Sequence, residues 1–390
     1  MDNFQFYNPT RIIFGKNTEN KTAKEIKRYG GSRVLLHYGG NSIKKSGLYD
    51  KITQLLSEAG LFVVELGGVV PNPRLDLVYK GIELCKENNI DFILAVGGGS
   101  VIDSAKGIAM GCKVEGDIWD YYMDNSKVVP AALPIGVVLT IPAAGSESST
   151  GSVITNELGG FKRYTGGEIV IPRFAIMNPE ITYTMPKAQI AYGCSDIIAH
   201  LFERYFTLSP NNDLTDRLIE STITTVMNNG LQAMKNPTDY NCRAEIMWAG
   251  TIAHNNLLNT GRIGDWGTHD IEHELSGIYD IAHGAGLAIL FPAWMRYVNN
   301  ENIDKFIQIA NRVFGVDFPR ENKELIVDAM IEKLESWYKT MGLPTRLSEV
   351  NIDNTHFKEM AEKCVVNRGS VGNFKKLYPA DIEAIYTLAL

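Results

Sequence analysis

Cysteine is scarce in this chain of 390 residues. The five present, Cys85, Cys112, Cys194, Cys242 and Cys364, are odd in number, widely spaced and never arranged as CxxC. That excludes a disulfide framework and a thiolate zinc site, and it predicts cysteines buried as small hydrophobes. Long apolar runs are missing too, none approaching the ~20 residues of a membrane span. The start, MDNFQFYNPTRIIFG, lacks the basic stretch and apolar core of a signal peptide. No Lys/Arg block exceeds two residues, and 38 Lys+Arg against 45 Asp+Glu leave a formal charge of −7. Nucleic acid and anionic membrane are therefore excluded as partners. A cytoplasmic protein with reduced thiols is expected.

What is present is ordinary globular material, 45% hydrophobic and 21% charged, enough for two or three domains at roughly 150 residues each. In the first half, apolar runs alternate with segments of helical period. RVLLHY (33–38), LFVVEL (61–66) and FILAV (92–96) read as buried strands, and 47–59 and 74–88 as the helices between them. Runs 135–140 and 174–177 add two more strands, and the Gly/Ser/Thr-rich stretch 143–167 reads as hairpin and loop. Continuous apolar strands separated by amphipathic helices imply a doubly wound parallel sheet covered on both faces. Beyond Pro186 the period is 3.6 throughout, over about 188–206, 212–229, 240–259, 266–277, 285–298, 303–314, 322–341 and 354–366. The expected division is an α/β domain over 1–186 and an all-α domain over 187–390.

The third strand runs into Gly97-Gly98-Gly99-Ser100 and then a helix carrying Asp103 and Lys106. Strand, glycines and helix start suit a diphosphate, because backbone N–H groups can approach its oxygens and the helix N-terminus is partly positive. The spacing is not GxGxxG, so the usual dinucleotide fingerprint is absent. After the first strand come Gly39, Gly40, Asn41 and Ser42, with Lys44 and Lys45 close behind and no acid between Arg33 and Lys45. An acid there would bond a ribose 2′-OH and repel a 2′-phosphate. Its absence favours NADP(H), with NAD(H) as the other possibility.

Five of the seven histidines, His200, His254, His269, His273 and His283, fall in the helical half. Asp196 and His200 lie one helical turn apart among apolar neighbours, and so do His269 and His273 in GTHDIEHEL. The glycines of AHGAG suggest a helix break that turns His283 inward. A carboxylate and two or three imidazoles form a mixed N/O set suited to Zn²⁺ or Fe²⁺. With four protein ligands, iron keeps an open position more readily. His254 reads as packed or pocket-lining. HDIEH differs from the zinc-peptidase HExxH in having Asp270, whose shorter side chain would reach a water poorly.

These motifs, with LTIPAAGSE (139–147) and DWGTHDIEHELSGIYDIAHGAGLAILFP (265–292), resemble the iron-containing (group III) alcohol dehydrogenases, and within them the butanol dehydrogenase and aldehyde reductase branch. The resemblance spans both halves. It implies an NAD(P)-linked enzyme interconverting primary alcohols and aldehydes, with Asp196, His200, His269 and His283 as ligands of Fe²⁺ or Zn²⁺ and His273 as a proton-relaying catalytic residue. It further implies cofactor contacts at Gly39, Gly40, Ser42, Asn72, Gly97, Gly98, Gly99, Ser100, Asp103, Thr140, Ala143, Ser146 and Lys162. Position 41 is Asn where many NADP(H)-using members have Gly, and Ala143 stands where some have a hydroxyl. A non-redox enzyme on the related dehydroquinate synthase-like scaffold is the alternative. The strand-like start, Phe4–Phe14, suggests pairing across a two-fold axis in a homodimer.

Overall fold

The computed structural model describes every residue except 125 and 317–321. The chain forms two compact units. One contains Tyr7–Met185 and Thr238–Asn255, the other Met1–Phe6, Pro186–Pro237 and Asn256–Leu390.

The first unit is built on a sheet. In chain order its elements are β1 (Arg11–Phe14), α1 (Thr22–Arg28), β2 (Arg33–Tyr38), α2 (Ser42–Lys45), α3 (Leu48–Glu58), β3 (Phe62–Leu66), α4 (Leu75–Glu87), β4 (Phe92–Gly97), α5 (Gly99–Gly111), α6 (Trp119–Met123) and β5 (Ile135–Leu139). An antiparallel hairpin, β6 (Gly151–Asn156) and β7 (Phe161–Gly166), precedes β8 (Phe174–Met177). Six strands in the order β1-β8-β5-β4-β2-β3 pair in parallel.

The two-residue alternation of the strands sorts their side chains onto two buried faces. Leu35, Ile93, Ala95, Val137 and Ala175 meet α4 and α5 on one face. Val34, Leu36, Leu94, Val138 and Ile176 meet α1 and α3 on the other. The chain leaves β2 toward the second face and β4 toward the first. The sheet therefore has its topological switch point between these neighbours, where ligands of such sheets bind.

The second unit is helical. It contains α7 (Lys187–Tyr205), α8 (Asp213–Lys235), α10 (Gly267–Tyr279), α11 (His283–Val298), α12 (Ile303–Arg312), α13 (Lys323–Thr340), α14 (Phe357–Cys364) and α15 (Pro379–Ala389). Between α8 and α10 comes α9 (Tyr240–His254), which groups with the sheet unit instead. Its Met247 packs into the sheet core and its Thr251 hydroxyl donates to Glu147 Oε1 at 2.5 Å. Helical period alone cannot show which core a helix joins, so the division at 186/187 and the observed units differ at α9 and at Met1–Phe6.

Other differences are local. The helix expected over 240–259 stops at His254, with Asn256 left-handed at φ 71°. Only Arg11–Phe14 of the expected strand Phe4–Phe14 is a strand, and it pairs with β8 at the sheet edge. α15 lies beyond the last expected helix, 354–366, and its Ile382, Ile385, Tyr386 and Ala389 carry helical spacing after Pro379. All five cysteines are free, and four are buried. Among the described residues no helix is long and apolar enough to cross a membrane.

One buried titratable group ties the switch-point strands to α5. His37 is inaccessible, with Nδ1 2.8 Å from the Leu66 carbonyl oxygen and Nε2 2.9 Å from Ser104 Oγ. Burial pushes it down to about 4 from the ordinary 6.5, opposed in part by the Leu66 carbonyl. His37 is thus neutral in the folded chain. Its contribution is complete above pH 6.5 and fades as pH falls through about 4, a change of roughly 3 kcal/mol. Urea unfolding of wild type and His37→Gln at pH 7 and pH 4 should show the wild type losing roughly 3 kcal/mol more over that interval. Equal losses would mean that another group titrates.

Candidate active site

In the helical unit, α7, α10 and the first residue of α11 bring the expected ligands together. Asp196 and His200 sit one turn apart on α7, with His200 Nδ1 3.3 Å from Asp196 Oδ1. His269, near the start of α10, places its ring centroid 4.7 Å from that of His200. Asp196, His200 and His269 each offer a donor atom, all within 4.8 Å of one another. His283 Nε2 lies 3.9 Å from Asp196 Oδ1, and the His269 and His283 rings are 5.4 Å apart. His283 can come this close because Gly284 follows it; a Cβ there would lie 2.2 Å from the Tyr192 carbonyl oxygen of α7. One carboxylate oxygen and three imidazole nitrogens form a borderline donor set that fits a single Zn²⁺ or Fe²⁺.

His273, one turn along α10 from His269, is buried with its ring 5.7 Å from that of His283. It forms a second donor group with Glu272 and His283, again within 4.8 Å. Asp270 turns elsewhere, accepting from Arg368 at 2.6 Å. The peptidase-like reading of HDIEH therefore has no geometric support.

Sequence reasoning missed the acids behind these histidines. Glu203, on α7, accepts from His269 Nδ1 at 2.7 Å and from the His269 backbone N–H at 3.0 Å through Oε1. Its Oε2 accepts from the Trp266 N–H at 2.5 Å. Asp265 takes the backbone N–H groups of Gly267, Asn373 and Phe374 at 3.0, 2.7 and 2.6 Å. Between these acids stands Trp266 at φ 69°, a conformation unusual for a bulky residue. Burial pushes Glu203 up to about 8 and Asp265 up to about 7, while the N–H donors pull both down. A dication held by His269 would add to that downward pull. Glu272 repeats the arrangement, hydrogen-bonded to His283 Nδ1 and to the Ser276 hydroxyl. A signal did exist: Glu203 lies three residues after His200 in an apolar helix, and Glu272 adjoins His273.

In the sheet unit, the glycine loop sits at the C-terminal end of β4 as expected. A Cβ at Gly97 would fall 2.4 Å from Val101 Cγ2, at Gly98 2.8 Å from Ile141 Cβ and at Gly99 3.0 Å from Ala144 Cβ. The chain passes directly into α5, so the first-turn N–H groups at Gly99 and Ser100 open toward the strand ends. Thr140 opens the loop after β5, its N–H bonded to the Gly97 carbonyl at 3.0 Å, and Thr140, Ala143 and Ser100 are half-buried.

Asp103 and Ser146 face inward. Ser146 Oγ donates to Asp103 Oδ1 at 2.5 Å, and the Val153 N–H donates to Oδ2 at 3.0 Å. Lys106, fully buried, donates to Ser146 Oγ, the Ser149 carbonyl and the Gly151 carbonyl at 2.9, 2.9 and 2.8 Å. Burial pushes its amine down to about 8, against Asp103 and Glu147. Lys162 is buried on β7, and Asn72 holds φ 53° between Pro71 and Pro73. Gly39 is half-buried, while Gly40, Asn41 and Ser42 are exposed after β2. Lys44 packs over the rings of Tyr38 and Tyr49 at 5.3 and 4.8 Å, and both phenols donate to Glu65 of β3.

Residues 9–179 match the family described as iron-containing alcohol dehydrogenase, and residues 190–390 match the Fe-containing alcohol dehydrogenase family, C-terminal. The chain belongs to the iron-containing alcohol dehydrogenase family. It is 45% identical, over all of both chains, to a probable NADH-dependent butanol dehydrogenase 2 of Bacillus subtilis. It is 36% identical, over 93% of each, to the NADPH-dependent aldehyde reductase YqhD of Escherichia coli. A solved NADH-dependent butanol dehydrogenase A from Thermotoga maritima superposes with a TM-score of 0.96 at 40% identity, covering 100% of this chain and 99% of that one.

In this member of the iron-containing alcohol dehydrogenase family, Lys106 is the counter-charge that lets the buried Glu147 and the half-buried Asp103 sit behind the glycine loop. Lys106→Met should destabilise the chain by about 3–5 kcal/mol, because Glu147 stays buried and Asp103 half-buried without it. Chemical denaturation measures this, and a loss below about 1 kcal/mol would mean that the carboxylates are neutral in the folded chain.

Proposed function

We propose that this chain catalyses reversible hydride transfer between a nicotinamide cofactor and a primary alcohol of butanol type or its aldehyde. Asp196, His200, His269 and His283 hold one Fe²⁺ or Zn²⁺, and Gly97, Gly98, Gly99 and Ser100 hold the diphosphate. The observation that carries the reading is the convergence of one carboxylate and three imidazoles in a chain of this family. Relatives named for butanol dehydrogenase and aldehyde reductase activity support the substrate class.

When bound, the cation supplies Lewis acidity toward the substrate oxygen, and the nicotinamide supplies or accepts the hydride. The chain's own residues do the rest. His273 takes the alcohol proton at a ring nitrogen and passes it on, a role suited to an imidazole beside the ligand set. Thr140, Ala143, Ser146 and Lys162 border the cofactor, with Asp103 and Lys106 bracing the loop behind them. Asn72 lies toward the adenine nucleotide.

For the second phosphate, Gly39, Gly40 and Ser42 leave room and Lys44 and Lys45 supply charge, so NADP(H) is preferred, with NAD(H) also accepted. Relatives named NADH-dependent and NADPH-dependent bracket that preference. The free cysteines suit a cytoplasmic setting. The β1 edge, with exposed Phe4, Phe6 and Tyr7 before it, supports a homodimer.

Steady-state reduction of butanal with NADPH and with NADH, in protein reconstituted with Fe²⁺ or Zn²⁺, tests the reading. Chelation should abolish turnover and either ion should restore it. His269→Ala should lose both metal and turnover; a variant that kept both would refute its ligand role. Gly39→Asp should move preference toward NADH, and an unchanged cofactor ratio would place the 2′-phosphate elsewhere.

A further inference from the structure

The geometry points to Glu203 and Glu272 as positioning residues that fix which nitrogen of His269 and of His283 is offered to a cation. Each carboxylate engages the Nδ1 of one imidazole: Glu203 Oε1 that of His269 at 2.7 Å, and Glu272 Oε2 that of His283. Once ionised, as the backbone N–H donors to Glu203 and a dication beside the rings both favour, a carboxylate only accepts, so Nδ1 carries the proton and Nε2 keeps its lone pair. For His283 it is Nε2 that lies 3.9 Å from Asp196 Oδ1, on the ligand side. The inference deepens the proposed function and rests on its metal assignment.

Both carboxylates are buried, and each bonds an imidazole on another ligand-bearing helix. Glu203 on α7 grips the start of α10, and Glu272 on α10 grips the start of α11. The three ligand-bearing helices are thus linked in series. The room for Glu272 is made by Gly286, where a Cβ would fall 2.6 Å from Glu272 Oε1. Glu203 is the more rigid of the two, because its oxygens also receive the backbone N–H groups of His269 and Trp266. Glu272 also takes the rotatable hydroxyl of Ser276.

That contrast chooses the variants. In Glu203→Gln, one backbone N–H faces an amide NH₂ whichever way the amide turns, so folding and metal binding fall together. In Glu272→Gln, the amide oxygen still accepts from His283 Nδ1–H and the NH₂ donates to Ser276 Oγ. Both of these contacts survive, the Ser276 bond with its direction reversed, and the charge is lost. Partners of this kind orient the ring and raise its basicity, and their loss typically weakens metal affinity by about 10–100-fold.

The experiment is anaerobic Co²⁺ titration of metal-free full-length protein, read by the visible ligand-field band and by competition with a chromophoric chelator. Wild type, His200→Ala, Glu272→Gln and Glu272→Ala are compared, with thermal melting of each metal-free protein as the folding control. One equivalent should bind to wild type and be lost in His200→Ala. Affinity should drop roughly tenfold in Glu272→Gln and toward 100-fold in Glu272→Ala, with a shifted band and an unchanged metal-free melting temperature in Glu272→Gln. Wild-type affinity and band in both Glu272 variants would overturn the positioning role alone. No stoichiometric Co²⁺ in wild type, or binding that survives His200→Ala, would overturn the metal assignment and this inference with it.

Discussion

The helical unit depends on holding carboxylates inside an apolar bundle. Asp196, Glu203, Asp265 and Glu272 are all buried, and an unpaired charge in such surroundings costs several kcal/mol. Imidazoles, backbone N–H groups and hydroxyls compensate, and several of these partners, Trp266, Gly267, His269 and His283, sit at helix starts. The left-handed Trp266, the early position of His269 in α10 and the placing of His283 at the first residue of α11 all follow from that need. The arrangement has a chemical use as well, since acids backing imidazoles make those rings better donors.

The sheet unit meets a different constraint by the same means. Its glycine loop has to let backbone approach a ligand, so it contributes no side chains of its own to pack. The bracing lies one layer deeper, where Lys106 gathers oxygens from the segments following β5 and Asp103 bonds both Ser146 and the Val153 N–H. Ser146, read from sequence as a cofactor contact, is therefore also a structural bridge between the two carboxylate-bearing segments.

Much of this was legible in the residues. Strands such as RVLLHY and FILAV announce themselves because both of their faces are buried, leaving continuous apolar runs. The spacing of Asp196 and His200 survives translation into space because one helix carries both. The assignment of α9 to the sheet unit was not legible, since periodicity reports that a helix has an apolar face and not what covers it. The pairing of Glu203 with His269 joins residues 66 apart in sequence, and no local pattern encodes such a distance. Asp103 and Ser146 were expected to face a ligand; their contacts with each other arise from a loop return that composition cannot reveal.

Gly284 and Gly286 carry a wider lesson. Neither position has room for a methyl group: one is closed by the Tyr192 carbonyl and the other by the Glu272 carboxylate. A descendant that kept His283 but drifted to alanine at Gly284 would have to move α11 away from α7, and one with alanine at Gly286 would push the Glu272 carboxylate off its place. The His-Gly-x-Gly spacing is thus a record of clearance, the first glycine yielding to a backbone carbonyl and the second to a carboxylate, whichever ion the site takes.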